Sequence, residues 1–302
     1  MSENSPVEMV IDARRRDLGG FEVGRVLPWA KRRMVGPFVF FDHMGPKQMA
    51  ANLPRSVDVR PHPHIGLATI TYLFAGEIVH RDSLGFHQLI RPGEVNWMTA
   101  GRGISHSERF ETMREHGGLL HGIQAWIALP QSDEEIAPEF VHYEAEALPL
   151  ERSAGASTRV IAGKAFGKTS PVRTQSPLVY VHVELHAGAG TGIPDGYSER
   201  AAFVAAGTIR IGEQSYEAGQ MAVFAPGSQP RIVAATAATV MLLGGEPLGT
   251  RHIWWNFVSS RLERIEQAKA DWRAGRIALP VDDAAEFIPL PEEPPPPPEP
   301  MS

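Results

Sequence analysis

The chain has 302 residues, 43% of them hydrophobic, with a formal net charge of -6 and no cysteine. That content is ample for a buried core, and the length allows one large domain or two ordinary ones. The missing cysteines exclude disulfides and thiolate catalysis, and without a basic block to neutralise phosphates no direct nucleic-acid partner is expected.

Met1 to Pro6 is polar and acidic, without an apolar signal core. No apolar run approaches the roughly 20 residues that span a bilayer. The expectation is a soluble, cytoplasmic protein with no membrane partner. Glycine (29) and proline (26) punctuate short apolar runs. Val35 to Phe41, Ala68 to Phe74 and Leu119 to Leu129 have the length and bounding turns of buried strands. Helical periodicity is scarce until the C-terminus. The pattern predicts an all-β fold, a sandwich or barrel of antiparallel strands.

An internal repeat supports two such barrels. Tyr72-Leu-Phe-Ala-Gly76, Arg91-Pro-Gly-Glu94 and Trp97-Met-Thr-Ala-Gly101 are echoed by Phe203-Val-Ala-Ala-Gly207, Glu217-Ala-Gly-Gln220 and Val223-Phe-Ala-Pro-Gly227. Both halves read strand, glycine turn, strand, glycine turn, strand. The join is expected near Glu144 to Gln175, which is rich in small and charged residues. The expected division is a metal-binding domain over 1–145, a connecting segment over 146–180, a second barrel plus helix over 181–288, and a tail over 289–302. Ser260 and Glu263 read as a capping box, with Leu262, Ile265, Ala268 and Trp272 on one helical face and Gly275 as the stop. Pro294 to Pro298 reads as polyproline II or disordered.

Two histidine signatures carry the chemistry. His62-Pro63-His64 and His106-Ser107-Glu108 both have i, i+2 spacing, which on a strand turns both side chains to one face. Two neighbouring strands would then offer three imidazoles and a carboxylate, a set suited to one divalent transition metal with positions left for other ligands. Iron(II) is the first expectation; manganese, cobalt, nickel, copper and zinc are compatible. The second repeat lacks a histidine pair, so one metal is expected, in the first half. Glu108 can ligate the metal, act as a general base, or alternate between the two. Asp42 and His43 end an apolar strand, where they either serve the turn or orient a ligand imidazole. Phe38, Phe40, Phe41, Met44 and Trp97 are candidate pocket walls, although alternation must turn some of them away. His80, Asp82 and His87 read as hydrogen-bonding residues of a polar hairpin. His116, His121, His142 and His252 read as structural. His182 and His186 would lie roughly 13 Å apart on an extended strand, too far to share an ion. Gly101-Arg102-Gly103 lacks the lysine of a phosphate loop and reads as a tight strand connection.

With these motifs, the runs Pro37-Phe-Val-Phe-Phe-Asp-His-Met-Gly-Pro46, His62-Pro-His-Ile-Gly66 and Trp97-Met-Thr-Ala-Gly-Arg-Gly-Ile-Ser-His-Ser-Glu108 resemble the pirin family. The resemblance extends from about Arg14 to about Gly275. It implies two cupin-type jelly-roll β-barrels, a bicupin, with a C-terminal helix and metal in the first barrel alone, usually iron. His62, His64, His106 and Glu108 fall on the family's ligand positions. It further implies quercetin 2,3-dioxygenase activity, in which a flavonol and dioxygen give carbon monoxide and a depside. Some eukaryotic members act as nuclear transcription co-regulators, so an iron-dependent redox sensor with a regulatory protein partner is the alternative. A zinc isomerase acting on sugars is a third reading. A monomer is expected. The acid that many relatives carry shortly after the histidine pair is absent from Ile65-Gly-Leu-Ala-Thr-Ile70, which leaves Glu108 to supply the carboxylate.

Overall fold

A computed structural model describes residues 5–18, 20–292 and 300–301. The chain forms two compact units that are discontinuous in sequence. One contains residues 1–14, 24–38 and 146–247; the other contains 15–23, 39–145 and 248–302.

The first unit is a pair of antiparallel sheets. Its seven-stranded sheet runs in the order Val7–Asp12, Gln220–Phe224, Glu199–Ala206, Ala238–Gly245, Leu178–Leu185, Ala156–Ala162 and Leu150–Ser153. Gly190–Thr191, Ile232–Ala234, Thr208–Ile211 and Gln214–Glu217 form the smaller sheet. Val181, Val183, Val204, Ile209, Phe224 and Leu242 fill the space between. The N-terminal strand therefore belongs to the unit built mostly from 146–247: Val10 pairs with Ala222 and Asp12 with Gln220. A six-residue strand cannot bury one face alone, and this sheet edge gives it a partner.

The second unit repeats the plan. Its larger sheet includes Glu139–Tyr143, Val95–Thr99, Leu67–Ala75, Gly118–Ala128 and Phe38–Met49 as successive neighbours. The smaller sheet has the order Val59–His64, Ile104–Arg109, Ile78–Asp82, His87–Ile90. Met44, Leu73, Ile78, Ile90, Phe110 and Leu120 pack in one cluster. The strands expected around Val35, Ala68 and Leu119 are all present. The first starts later, at Phe38, because Gly36-Pro37 makes a turn that leaves Val35 as an isolated bridge partner of Phe38.

The helix spans Leu262–Arg273 and buries Ile265, Ala268 and Trp272 against Ile65, Trp254 and Phe257. Leu262 is exposed, and the expected capping box does not form. Ser260 is engaged elsewhere: its N–H and hydroxyl both donate to the Glu134 carboxylate, at 2.8 and 3.1 Å. Gly275 does stop the helix, its N–H donating to Trp272 O. The chain beyond remains attached. Ile288 N–H donates to Pro61 O, the Trp272 indole donates to Ile288 O, and Leu290 packs on the helix cluster. The proline run Pro294 to Pro298 lies outside the described residues.

One strand of the smaller sheet is held on its back face by this C-terminal segment. Ser105 Oγ donates to Ala278 O at 2.5 Å, and Ser107 Oγ donates to Asp283 Oδ2 at 2.6 Å. The buried Arg109 guanidinium makes a two-pronged pair with Asp283, at 2.7 and 2.8 Å. Burial alone would raise the Asp283 pKa, but Arg109 and Ser107 outweigh it and hold the carboxyl below its ordinary value. Removing one partner of such a pair leaves an uncompensated buried charge. Asp283→Ala should therefore lower unfolding stability by about 2–4 kcal/mol, read from denaturant titration. An unchanged midpoint would show that Asp58 and Glu286, the other acids near Arg109, suffice without it.

Candidate metal centre

His62 and His64 are on Val59–His64, and His106 is on Ile104–Arg109, with His106 directly opposite His62. Residues directly opposite in an antiparallel pair share a face, as do i and i+2 on one strand. The three rings therefore converge, with centroids 4.4–5.0 Å apart. Each offers a ring nitrogen, and these atoms lie within 4.8 Å of one another.

Backbone carbonyls decide which nitrogen faces inward. His62 Nδ1–H donates to Arg60 O at 2.9 Å, and His64 Nδ1–H donates to Asn256 O at 3.1 Å. A carbonyl can only accept, so both neutral rings carry their proton on Nδ1 and keep a lone pair on Nε2. Asn256 is held there by a two-residue turn: Trp254 pairs with Phe257, and Val258 N–H donates to Ile65 O. Gly66 is required at this approach, since a Cβ there would stand 2.0 Å from Val258 O in a backbone with φ of +67°.

His64 Nε2 and His106 Nε2 are buried and have no hydrogen-bond partner. Burial lowers the pKa of His62 to about 4, and pushes His64 and His106 well below the ordinary imidazole value. All three stay neutral, the form that ligates metals. Glu108 is on the same strand as His106, and burial raises its carboxyl to about 8 with only partial opposition from Arg109. Its Oε1 lies 3.7 Å from His106 Nδ1, beside the three-histidine group and not within its mutual distance. Orphaned buried nitrogens beside a buried carboxyl that burial holds toward its neutral form are the environment a divalent cation would complete.

The remaining candidates separate by face. Trp126, on Gly118–Ala128, meets the His64 ring edge-on at 4.9 Å, and Phe40 stacks on Trp126 at 4.0 Å. Phe40, Asp42 and Met44 share one face of their strand; Phe41 and His43 take the other. Phe41 is fully buried there, and His43 Nε2 pairs with His121 Nε2 at 2.9 Å. Trp97 also faces away. Its opposite neighbour is Ile70, whereas Met98 and Thr69 share the face of Trp126. Its indole donates to Thr99 Oγ1 at 3.2 Å. Phe40, Asp42 and Met44 thus lie toward Trp126 and the three histidines, whereas Phe41, His43 and Trp97 turn away.

The structure adds residues that spacing did not single out as site residues. His80 and Asp82 lie opposite Glu108 and His106 on the adjacent strand, so they share the site face. His80 is buried and stacks on Phe140 at 4.3 Å. The pair has the same i, i+2 spacing as the two signatures, which was the available signal. A second group, Glu94, His142 and Glu144, also falls within 4.8 Å. Its His142 Nε2 is 3.7 and 3.5 Å from the two carboxylates, with His142 Nδ1 bonded to Asn96 Oδ1. Among the described residues, the unit built from 146–247 holds no comparable group.

Two family models match the chain: pirin over residues 20–127, and the pirin C-terminal cupin domain over 180–278. A pirin-like protein of Caulobacter vibrioides is 59% identical over 287 residues, covering 95% of this chain and 100% of its own. The chain belongs to the pirin family. The pirin of Homo sapiens is 30% identical over 284 residues, with 90% of this chain and 94% of the human one aligned. A crystal structure of quercetin 2,3-dioxygenase from Acinetobacter baumannii superimposes with a TM-score of 0.87 at 34% identity, over 95% of each chain. The pirin fold here is thus a bicupin, with two β-barrels and a C-terminal helix.

The buried imidazoles of this pirin set an acid limit on its metal-free form. Burial, aided by His121, lowers the His43 pKa from 6.5 to about 3. The unfolded chain then binds more protons than the folded one between these values. Stability is complete above the upper value and is lost as pH falls toward the lower. The urea midpoint of metal-free protein should drop between about pH 7.5 and about pH 5, and a flat midpoint would contradict neutral burial.

Proposed function

We propose that this pirin binds one divalent transition metal, iron(II) first, through His62, His64, His106 and Glu108, and uses it in the oxygenative cleavage of a flavonol such as quercetin. The observation that carries the reading is the pair of carbonyl acceptors, Arg60 O and Asn256 O, which leave His62 and His64 as inward-facing Nε2 donors. The likeness to the Acinetobacter quercetin 2,3-dioxygenase supports the substrate class.

When bound, an iron ion supplies a Lewis acid with one-electron redox chemistry. The chain's own groups do the rest. Glu108 Oε accepts the proton of the flavonol 3-hydroxyl, leaving an electron-rich enolate for attack by dioxygen. Burial strengthens this base, because a desolvated carboxylate holds a proton more tightly than a solvated one. Trp126 and Phe40 form an apolar wall beside His64 and limit water there. A dry surround keeps the enolate from being reprotonated by solvent.

The test is anaerobic iron loading of the full chain, followed by quercetin and oxygen, with oxygen uptake and carbon monoxide release recorded. Stoichiometric loading should give about one metal per chain, a count natural to a single four-ligand site. Glu108→Gln should lose about 100-fold or more in turnover at full metal occupancy. His64→Ala should instead lose metal, and excess iron should restore part of its activity. Wild-type protein with full occupancy and no turnover would overturn the enzymatic reading, and unchanged turnover in Glu108→Gln would remove its role as base.

A further inference from the structure

Resting on the proposed metal site, we propose that His80 and Asp82 are positioning residues that fix the third histidine, His106, as an inward Nε2 donor. No backbone carbonyl does for His106 what Arg60 O and Asn256 O do for the other two rings. Its Nδ1 instead meets His80 Nδ1 at 3.4 Å. Two nitrogens can share one proton only if one donates and the other accepts, so the direction must be set from elsewhere.

Asp82 sets it. Asp82 Oδ2 lies 2.9 Å from His80 Nε2. The carboxylate accepts, so His80 carries its proton on Nε2 and offers the Nδ1 lone pair. His106 must then donate from Nδ1, and its Nε2 lone pair is turned to the same point as those of His62 and His64. The assignment agrees with His106 Nε2 being buried without a hydrogen-bond partner. The carboxylate cannot rotate away easily, because Asp82 Oδ1 accepts from Leu84 N–H at 2.9 Å and Phe86 N–H at 3.1 Å. The His80 ring is equally confined, stacked on Phe140 with an interplanar angle of 14°. Asp82 and His80 are both buried, 1% and 4% exposed, so water does not supply a competing partner.

A merely packed His80 would fill the same space without directing a proton, and the two roles separate by experiment. His80→Phe keeps an aromatic ring against Phe140 and removes both hydrogen bonds. His80→Gln retains a carbonyl acceptor for His106 and an amide donor for Asp82. Affinity is measured on the full chain by competition between protein and a chromophoric chelator for cobalt(II), together with the cobalt ligand-field spectrum. Melting of the metal-free proteins reports folding. Wild type should bind cobalt with a ligand-field spectrum characteristic of nitrogen and oxygen donors. His80→Phe should bind about 10- to 100-fold more weakly, with a shifted spectrum, while its metal-free form melts within a few degrees of wild type. His80→Gln should recover most of the affinity. Cobalt affinity in His80→Phe within about threefold of wild type, or equal weakening in the Phe and Gln variants, would overturn the positioning role and leave the metal site standing. Failure of wild type to bind cobalt would overturn the site itself and this inference with it.

Discussion

The site depends on the two-residue alternation of one short strand, Ile104–Arg109. His106 and Glu108 face inward, and Ser105, Ser107 and Arg109 face the C-terminal segment. A slip of one residue would exchange the two sets and place a guanidinium among the histidines. Both faces resist that slip. On the back, Asp283 receives three hydrogen bonds from Ser107 and Arg109. On the front, the strand pairs on both edges, with His62 on one side and Asp82 on the other opposite His106. The C-terminal segment is thus part of the site's support, although it contributes no candidate ligand.

Burying several imidazoles without charge is costly unless each N–H finds an acceptor. The fold meets this with acceptors that cannot donate: two carbonyls and one carboxylate. The same choice fixes tautomers, so a requirement of stability and a requirement of metal binding are satisfied by one set of hydrogen bonds. The anchors lie on strands or at a tight hairpin, and rigid elements hold donor atoms more closely than free loops do.

Much of this was legible because strands carry their geometry in their spacing. The histidine signatures, the repeat and the C-terminal helix all follow from period and punctuation. What failed has a common physical cause. Phe38 to Met44 are all buried, so no polar alternation marks which residues face which side. The same holds for Val95–Thr99, so spacing alone leaves open which of Phe41, His43 and Trp97 face the site, and the structure turns all three from it. His80 and Asp82 do sit in a hairpin and hydrogen-bond there, as the polar setting predicts; that this hairpin also borders Ile104–Arg109 is not visible in chain order, because His87–Ile90 and Val95–Thr99 intervene. The capping box failed for a related reason, since Ser260 is claimed by Glu134, a residue far away in sequence.

The missing acid after the histidine pair has a structural consequence. Of that stretch, Ala68 faces the Ile127 side of the sheet, whereas Thr69, opposite Trp126, shares the face that looks on His64. A neutral residue there gives no electrostatic support to a cation. The two acids on the facing strands differ sharply in what they have left to give. Asp82 is saturated by His80, Leu84 and Phe86, so its charge is already shared among three donors. Glu108 approaches His106 Nδ1 at 3.7 Å and is raised toward neutrality by its burial. A cation among the three imidazoles would reverse that shift, because a nearby positive charge favours the ionised carboxyl. A metal there would therefore favour the ionised Glu108 from which the proposed proton transfer starts.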